Sequence, residues 1–145
     1  MKTTDPPIVV EQDFDTPIEK VWKAITQLEQ MKKWFFNNIP QFKAQEGFKT
    51  QFNVNTPNHN FLHLWEITKV IPQQKLVYKW KYKGFKGNSF VTFTLTTIST
   101  SKTKLVVSTS IIEDFDDSAI DEFKYESAVA GWNYFIKQQL VSFLE

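Results

Sequence analysis

The chain has 145 residues, of which 41% are hydrophobic and 16% aromatic, and its formal charge is +1. This length fits one domain with a substantial core, so we treat residues 1–145 as a single domain. The charge is near neutral, and all 17 residues counted as Lys or Arg are lysines. Nucleic acids and anionic membranes attract positively charged surfaces, and arginine is the side chain that binds phosphates and guanine with two parallel hydrogen bonds. The composition therefore argues against both as partners.

Cysteine is absent, which excludes disulfides, thiolate nucleophiles and thiolate metal sites. The first residues lack the apolar run of a signal peptide, and no apolar stretch approaches the ~20 residues of a membrane span. We therefore expect a cytoplasmic protein that does not enter the membrane. No P-loop, GxGxxG or HExxH motif is present, so we expect no nucleotide, dinucleotide or metal cofactor.

The first elements are a strand and two short helices. Alternation predicts a strand over Ile8–Phe14. Thr16 as cap, Pro17 at the first helical position and Glu19 as the partner of the cap then predict a helix start. A second helix is expected over residues 29–36, with three large side chains turned inward: Met31, Trp34 and Phe35.

Six further strands follow, separated by turns rich in Gly, Pro, Asn and Ser. They are predicted at Phe42–Gln45, Phe48–Val54, Phe61–Ile71, Lys75–Tyr82, Ser89–Ile98 and Lys104–Ile112. Alternation of apolar and polar residues is clearest in the fourth and fifth of these, which indicates a sheet with one face in the core. The register of the third is ambiguous. Trp65, Ile67 and Ile71 compete with Leu62, Leu64 and Val70 for the inward face, and we favour Trp65 and Ile67 inward.

A long helix is predicted over residues 118–145, with Ser118 and Asp121 at capping-box spacing. On a helical wheel its apolar face centres on Trp132, and Gln139 lies within that face. The other members of the face are Tyr125, Ala128, Val129, Phe135, Ile136, Leu140 and Phe143.

The opposite side of this helix carries a weaker apolar stripe, formed by Phe123, Ala130, Tyr134 and Val141. Scattered apolar residues on a surface need no explanation. The alternative is self-association through the back of the helix, which would place Tyr134 near its own copy. On that interpretation we expect a weak homodimer.

The order of strand, two helices, six strands and a long helix predicts an α+β domain, because antiparallel meanders with helices on one face form that class. Several segments also resemble the START-like (SRPBCC) superfamily, and in particular the branch named after the C-terminal domain of the activator of the heat-shock-protein-90 ATPase. They occur in the order of that family and cover nearly the whole chain: residues 15–25, 31–35 and 71–80, and Gly131-Trp132 with Leu140 downstream.

The resemblance implies a helix-grip fold, in which a curved antiparallel sheet wraps around the C-terminal helix, often with a cavity between them. It implies little about chemistry, because members of the superfamily bind lipids, transform polyketides or assist a chaperone. At one position the chain departs from the family. A paired glycine before the third strand of the family is replaced here by Glu46-Gly47.

The best candidates for ligand contacts are the inward aromatic residues and their neighbours on the long helix. Each ring alone could simply fill the core, but as a group the rings exceed what a small core needs, which favours a cavity. Gln139 and Tyr78 could offer polar groups to a ligand or bond to the backbone instead. The full candidate set is Trp34, Phe35, Phe52, Tyr78, Trp80, Phe93, Trp132, Phe135, Ile136 and Gln139.

Other polar residues give weaker signals. His59 and His63 stand too far apart in extended chain to share a metal, and no acid–base pair is apparent, so no catalytic or metal residue is assigned. An acidic run between Glu113 and Glu126 lacks the ligand spacing of a calcium loop and fits a helix N-terminus. Alternate lysines Lys79, Lys81 and Lys83 indicate a solvated strand face, or a docking surface for an acidic partner.

The leading hypothesis is a non-enzymatic domain that holds a small apolar or amphipathic molecule between sheet and helix. One alternative is a protein-interaction module that regulates a chaperone, which rests on the family resemblance alone. Another is an enzyme of the cyclase or hydrolase kind, which would need a positioned acid–base pair in the cavity.

Overall fold

The computed structural model describes residues 1–116 and 119–145. Six strands form one antiparallel sheet, and the helices cover its concave face. The strands are β1 (Ile8–Phe14), β2 (Lys49–Asn55), β3 (Asn60–Ile71), β4 (Lys75–Tyr82), β5 (Asn88–Ser99) and β6 (Lys102–Glu113). The predicted α+β helix-grip fold is therefore confirmed.

The sheet order β1-β6-β5-β4-β3-β2 brings the first strand against the last. Strands β2 to β6 follow one another as a meander, so β1 and β2 occupy opposite edges of the sheet. The two short helices, α1 (Ile18–Thr26) and α2 (Leu28–Trp34), bridge that distance. This crossover leaves the concave face of the sheet to be covered mainly by the C-terminal helix.

Side chains on the concave face alternate with wetter side chains on the convex face, as the sequence pattern predicts. In β3 the register with Trp65 and Ile67 inward is confirmed, because both are at most 2% exposed. A β-bulge between Ile67 and Lys69 then reverses the alternation. For that reason Ile71, four residues after Ile67, is exposed at 36%.

The predicted strand Phe42–Gln45 does not form, because residues 41–44 have no regular structure and join no sheet. Phe42 is nevertheless buried, and its ring meets Trp65 edge-on at 6.4 Å between centroids. This segment therefore supplies a ring to the core without any ladder hydrogen bonds. The following Gly47 adopts φ of +86°, a conformation that glycine enters easily, and so makes the turn into β2.

Helix α1 starts one residue later than its capping pattern predicts. Pro17 occupies the N-cap, and no side chain bonds to the end of the helix. Thr16 is buried instead, and its carbonyl accepts a hydrogen bond from Thr103 Oγ1 at 2.7 Å. The predicted capping box at Thr16 is therefore wrong, because Thr16 contacts β6.

The C-terminal helix is 20 residues long, shorter than predicted from residue 118. It comprises α3 (Tyr125–Asn133), a π-helical segment (Tyr134–Leu140) and α4 (Val141–Leu144). A short 3₁₀ turn, Asp121–Phe123, precedes it. Of the predicted capping pair, Ser118 lies outside the described residues. Asp121 forms an ion pair with Lys124 at 2.8 Å.

This later start overturns the predicted position of Phe123 on the back of the helix. Phe123 lies in the core at 1% exposure, because the 3₁₀ turn packs its ring against Phe61 of β3 and Tyr82 of β4. The apolar stripe expected there is reduced, although Tyr134 is exposed at 46%. No helix among the described residues is both long and apolar enough to cross a membrane.

Candidate functional site: a cavity between the sheet and the C-terminal helix

A cavity of about 290 Å³ lies between the concave face of the sheet and α3. Its helix side is formed by a stripe that includes Ala128, Gly131 and Trp132. Its sheet side is formed by inward residues of β2 to β6. The remaining apolar wall is formed by Met1, Phe36, Val54, Phe61, Trp80, Val91, Ile111, Phe115, Phe123 and Phe135.

Polar side chains also line the cavity. The more exposed ones are assigned to its mouth and the most buried ones to its inner end. Near the mouth are half-buried Thr56 and Glu122 and exposed Ser127. At the inner end, Ser89, His63 and Thr109 are 4% to 5% exposed. Tyr82 lies beside His63, because the two residues are paired across β3 and β4. The cavity is thus mainly apolar, with a few polar groups placed at defined depths, as ligand pockets usually are.

Three of the predicted contact residues line the cavity: Trp80, Trp132 and Phe135. Six others are buried or packed around it without being among the lining residues of the described chain: Trp34, Phe35, Phe52, Tyr78, Phe93 and Ile136. The ring of Phe35 links the two groups, with centroid distances of 4.6 Å to Trp34 and 4.9 Å to Phe135. Most of the predicted rings therefore pack behind the residues that line the cavity.

Gln139 lies elsewhere. It borders a shallow surface depression with Lys32 and Asn37, outside the cavity. The wheel that placed Gln139 beside Trp132 assumes α-helical geometry throughout. The π-helical segment turns through a smaller angle per residue, because its hydrogen bonds close over five residues instead of four. Positions after Tyr134 are therefore rotated relative to that wheel.

Gly131 faces open space. A Cβ atom built at this position would meet no heavy atom within 4 Å. Alanine at this position would therefore not touch the sheet. A larger side chain at residue 131 would instead extend into the cavity, since Ala128 and Phe135 on the same stripe also line it.

His63 is the most perturbed titratable group in the cavity wall. Its imidazole lies against the rings of Phe52 at 5.1 Å and Tyr82 at 4.7 Å. Burial lowers the pKa of His63 from 6.5 to about 4, although its contact with the Phe61 carbonyl acts in the other direction. At neutral pH the ring is uncharged, so Nδ1–H donates to Phe61 O at 3.1 Å and Nε2 keeps a lone pair.

Tyr82 is the other titratable group of this wall. Burial raises the pKa of Tyr82 to about 12, while a hydrogen bond from Trp80 Nε1 at 3.0 Å favours the ionised form. An efficient general acid or base has a pKa near the working pH. Both His63 and Tyr82 are shifted away from neutrality, which argues against an acid–base pair built from them.

At the mouth, His59 of the β2–β3 loop approaches Glu122 of the 3₁₀ turn. The distance between Nδ1 and Oε2 is 3.7 Å, longer than a hydrogen bond, and the two side chains are 30% and 35% exposed. His59 also stacks on Phe61 at 5.4 Å. This pair brings together the two loops that border the opening.

The acidic run does not form a metal site among the described residues, where no group of three or more potential ligands converges. Its members bond separately. Glu113 accepts a hydrogen bond from Gly87 N at 2.7 Å, and Asp114 accepts one from Thr3 N at 2.6 Å. The Thr3 N–H is the main reason that the pKa of Asp114 is lowered.

Sequence reasoning missed several residues of the cavity. His63, Ser89 and Thr109 belong to strands whose alternation already placed Trp65, Val91 and other neighbours inward, so the same period of two would have found them. Glu122 and Phe123 were missed because the long helix was expected to begin before them. Phe36 was missed because the second helix was expected to continue through it, whereas α2 ends at Trp34.

The cavity lies within the part of the chain that matches a known family. The family described as "Activator of Hsp90 ATPase homolog 1-like protein" matches residues 15–145. No curated protein sequence matches this chain significantly.

Solved structures show the same fold. Protein MLL2253 from Mesorhizobium loti is 29% identical, with a TM-score of 0.75 and 96% of each chain covered. Protein CV1439 from Chromobacterium violaceum is 19% identical, with a TM-score of 0.78 and 96% of each chain covered. DynU16, from the dynemicin biosynthetic locus, is 24% identical with a TM-score of 0.74 over 97% of this chain. The present chain spans only 47% of the length of DynU16.

Proposed function

This chain belongs to the family of activator of Hsp90 ATPase homolog 1-like proteins, within the START-like superfamily, and we propose that it binds a small apolar or amphipathic molecule in the cavity. The observation that carries this proposal is the cavity itself, about 290 Å³ in volume and walled mainly by rings and aliphatic side chains. Closely packed protein interiors contain few voids larger than a water molecule.

The binding energy would come mainly from burial. Each Å² of apolar ligand surface removed from water contributes about 25 cal/mol. The Trp80 and Trp132 rings, whose centroids are 5.5 Å apart and whose planes are inclined at 70°, offer a face and an edge to an aromatic ligand. Among the solved structures of this fold, DynU16 belongs to the dynemicin biosynthetic locus, and a place in biosynthesis agrees with such a role without identifying a ligand.

The proposal predicts saturable binding of a neutral naphthalene-based fluorophore to the native protein, accompanied by a change in tryptophan emission. Gly131→Leu should abolish that binding, because the leucine side chain would occupy the cavity where a Cβ meets no atom within 4 Å. The variant should remain folded, since leucine favours a helix over glycine by about 0.8–1 kcal/mol. A fluorescence titration of both proteins checks this.

The matched control is Ala130→Leu, one residue away on the exposed side of the same helix. It adds a side chain of the same size outside the cavity and should leave the affinity unchanged. Equal binding by the wild type and Gly131→Leu would place the fluorophore elsewhere on the protein. Loss of binding in Ala130→Leu as well would indicate a general effect on the helix.

The name of the family favours one other function, docking onto a chaperone. The convex face of the sheet carries lysines suited to an acidic partner: Lys49 and Lys79 flank Glu66 across three neighbouring strands, and Lys81 is exposed. Co-purification with a heat-shock chaperone would favour this alternative. Self-association through Ala130 and Tyr134 also remains a proposal, now based on a smaller patch because Phe123 is in the core.

A further inference from the structure

The inner wall of the cavity contains a hydroxyl group that no other group satisfies. Thr109 is 5% exposed, and its Oγ1 has no hydrogen-bond partner within residues 1–116 and 119–145. Its side chain lines the cavity. On the same face of the sheet its paired neighbours are Ile8 in β1 and Val91 in β5, which offer no polar side-chain atom.

The other polar side chains of the inner cavity differ from Thr109, because each forms at least one hydrogen bond. Ser89 Oγ donates to Trp80 O at 2.8 Å, and His63 Nδ1 contacts Phe61 O at 3.1 Å. Tyr82 accepts a hydrogen bond from Trp80 Nε1 at 3.0 Å. Within the described chain, Thr109 is therefore the one cavity-lining residue that is more than nine-tenths buried and whose only side-chain polar atom has no hydrogen-bond partner.

An unpartnered buried hydroxyl destabilises a fold, and native structures contain few of them. Valine has nearly the same shape and would avoid that loss. The Oγ1 atom is almost fully covered, so it would gain a ligand oxygen or nitrogen as a partner after a rotation about Cα–Cβ turns the hydroxyl to the cavity that the side chain lines. A site of this kind discriminates strongly between ligands with and without that polar group, because a ligand that lacks it leaves the hydroxyl buried and without a hydrogen bond.

We infer that Thr109 is a specificity-determining residue of the cavity, and that the ligand is a two-ring-sized molecule with a neutral hydroxyl, carbonyl or amide at its inner end. This inference rests on the proposed function. The size follows from the volume of about 290 Å³, since an apolar cavity of about 150 Å³ holds one benzene ring. The polar group is neutral because Ser89, His63 and Thr109 offer no charged partner at neutral pH, and the buried Met1 ammonium of the wall already donates to Phe123 O at 2.7 Å.

The test compares naphthalene with 2-naphthol, which have the same rings and differ by one hydroxyl. Dissociation constants are measured by NMR titration for the wild type and for Thr109→Val. The variant should bind 2-naphthol about tenfold more weakly, the effect of one lost hydrogen bond, and bind naphthalene within about twofold of the wild type. Its urea midpoint should rise, because an unpartnered hydroxyl has been removed.

Thr103→Val is the matched control on the same strand. Thr103 is fully buried, but its hydroxyl donates to Thr16 O at 2.7 Å, and it does not line the cavity. This variant should lower the urea midpoint and leave the ratio of the two dissociation constants unchanged. An unchanged ratio in Thr109→Val would overturn the role of Thr109 while the proposed function stands. Failure of the wild type to bind either compound would overturn both.

Discussion

Replacing Trp132 with alanine should lower the free energy of unfolding by about 3–5 kcal/mol, the usual cost of removing a large ring from a core. Trp132 is 7% exposed. Its ring contacts Trp80 at 5.5 Å, Phe35 at 5.9 Å and Phe93 at 6.0 Å, so it joins the helix both to the sheet and to the end of α2. Urea unfolding followed by circular dichroism measures the change.

Tyr134→Ala is the control for this measurement. It removes a ring from the same helix, but Tyr134 is 46% exposed, and surface substitutions usually change stability by less than about 0.5 kcal/mol. A midpoint for Trp132→Ala that equals that of the wild type would mean that the helix does not pack on the sheet through Trp132.

The second large effect concerns the stability of the protein at acidic pH. In the native protein burial lowers the pKa of His63 to about 4, whereas a solvated histidine in the unfolded chain has a pKa of about 6.5. Between these two values the unfolded chain binds a proton that the native chain does not, so stability falls as the pH falls from about 6.5 to about 4. Above about pH 6.5 this loss is absent. Between pH 7 and pH 4.5 we expect His63 to account for a loss of about 2–3 kcal/mol.

His63→Phe isolates this contribution, because phenylalanine cannot titrate and suits a site walled by rings. Its stability between pH 7 and pH 4.5 should fall by about 2–3 kcal/mol less than that of the wild type, whatever its stability at pH 7. His59→Gln removes the other histidine but keeps His63. This variant should therefore lose as much stability at acidic pH as the wild type does. Equal pH profiles for the wild type and His63→Phe would contradict the account, and would indicate that the surrounding rings stabilise the imidazolium.

The strands were the most predictable part of the fold. A period of two fixes which face each residue joins, and the bounds of β1 and β4 match their predicted ranges. Departures arise where local geometry changes that period, as at the bulge after Ile67. The segment Phe42–Gln45 shows another limit of predicting strands from sequence. Its side-chain pattern resembles a strand, but pairing with a neighbour depends on the arrangement of the whole sheet, which a local pattern does not contain.

The candidate site was less predictable, because a cavity is defined by what packing leaves empty. Trp34 and Phe93 have sequence patterns like those of Trp80 and Trp132, yet only Trp80 and Trp132 line the cavity. The π-helical segment has no clear signal in the sequence, and it displaces Gln139 from the expected face. The unpartnered hydroxyl of Thr109 could be recognised only after its neighbours in β1 and β5 were known.

The most direct test of the binding site uses the five tryptophan indole N–H signals as reporters in an NMR titration with naphthalene. Trp80 and Trp132 line the cavity, whereas half-buried Trp22 on α1 does not. We predict saturable shifts that are largest for Trp80 and Trp132 and negligible for Trp22. The absence of any saturable shift, or shifts of similar size in all five signals, would contradict the conclusion that this cavity holds a small apolar molecule.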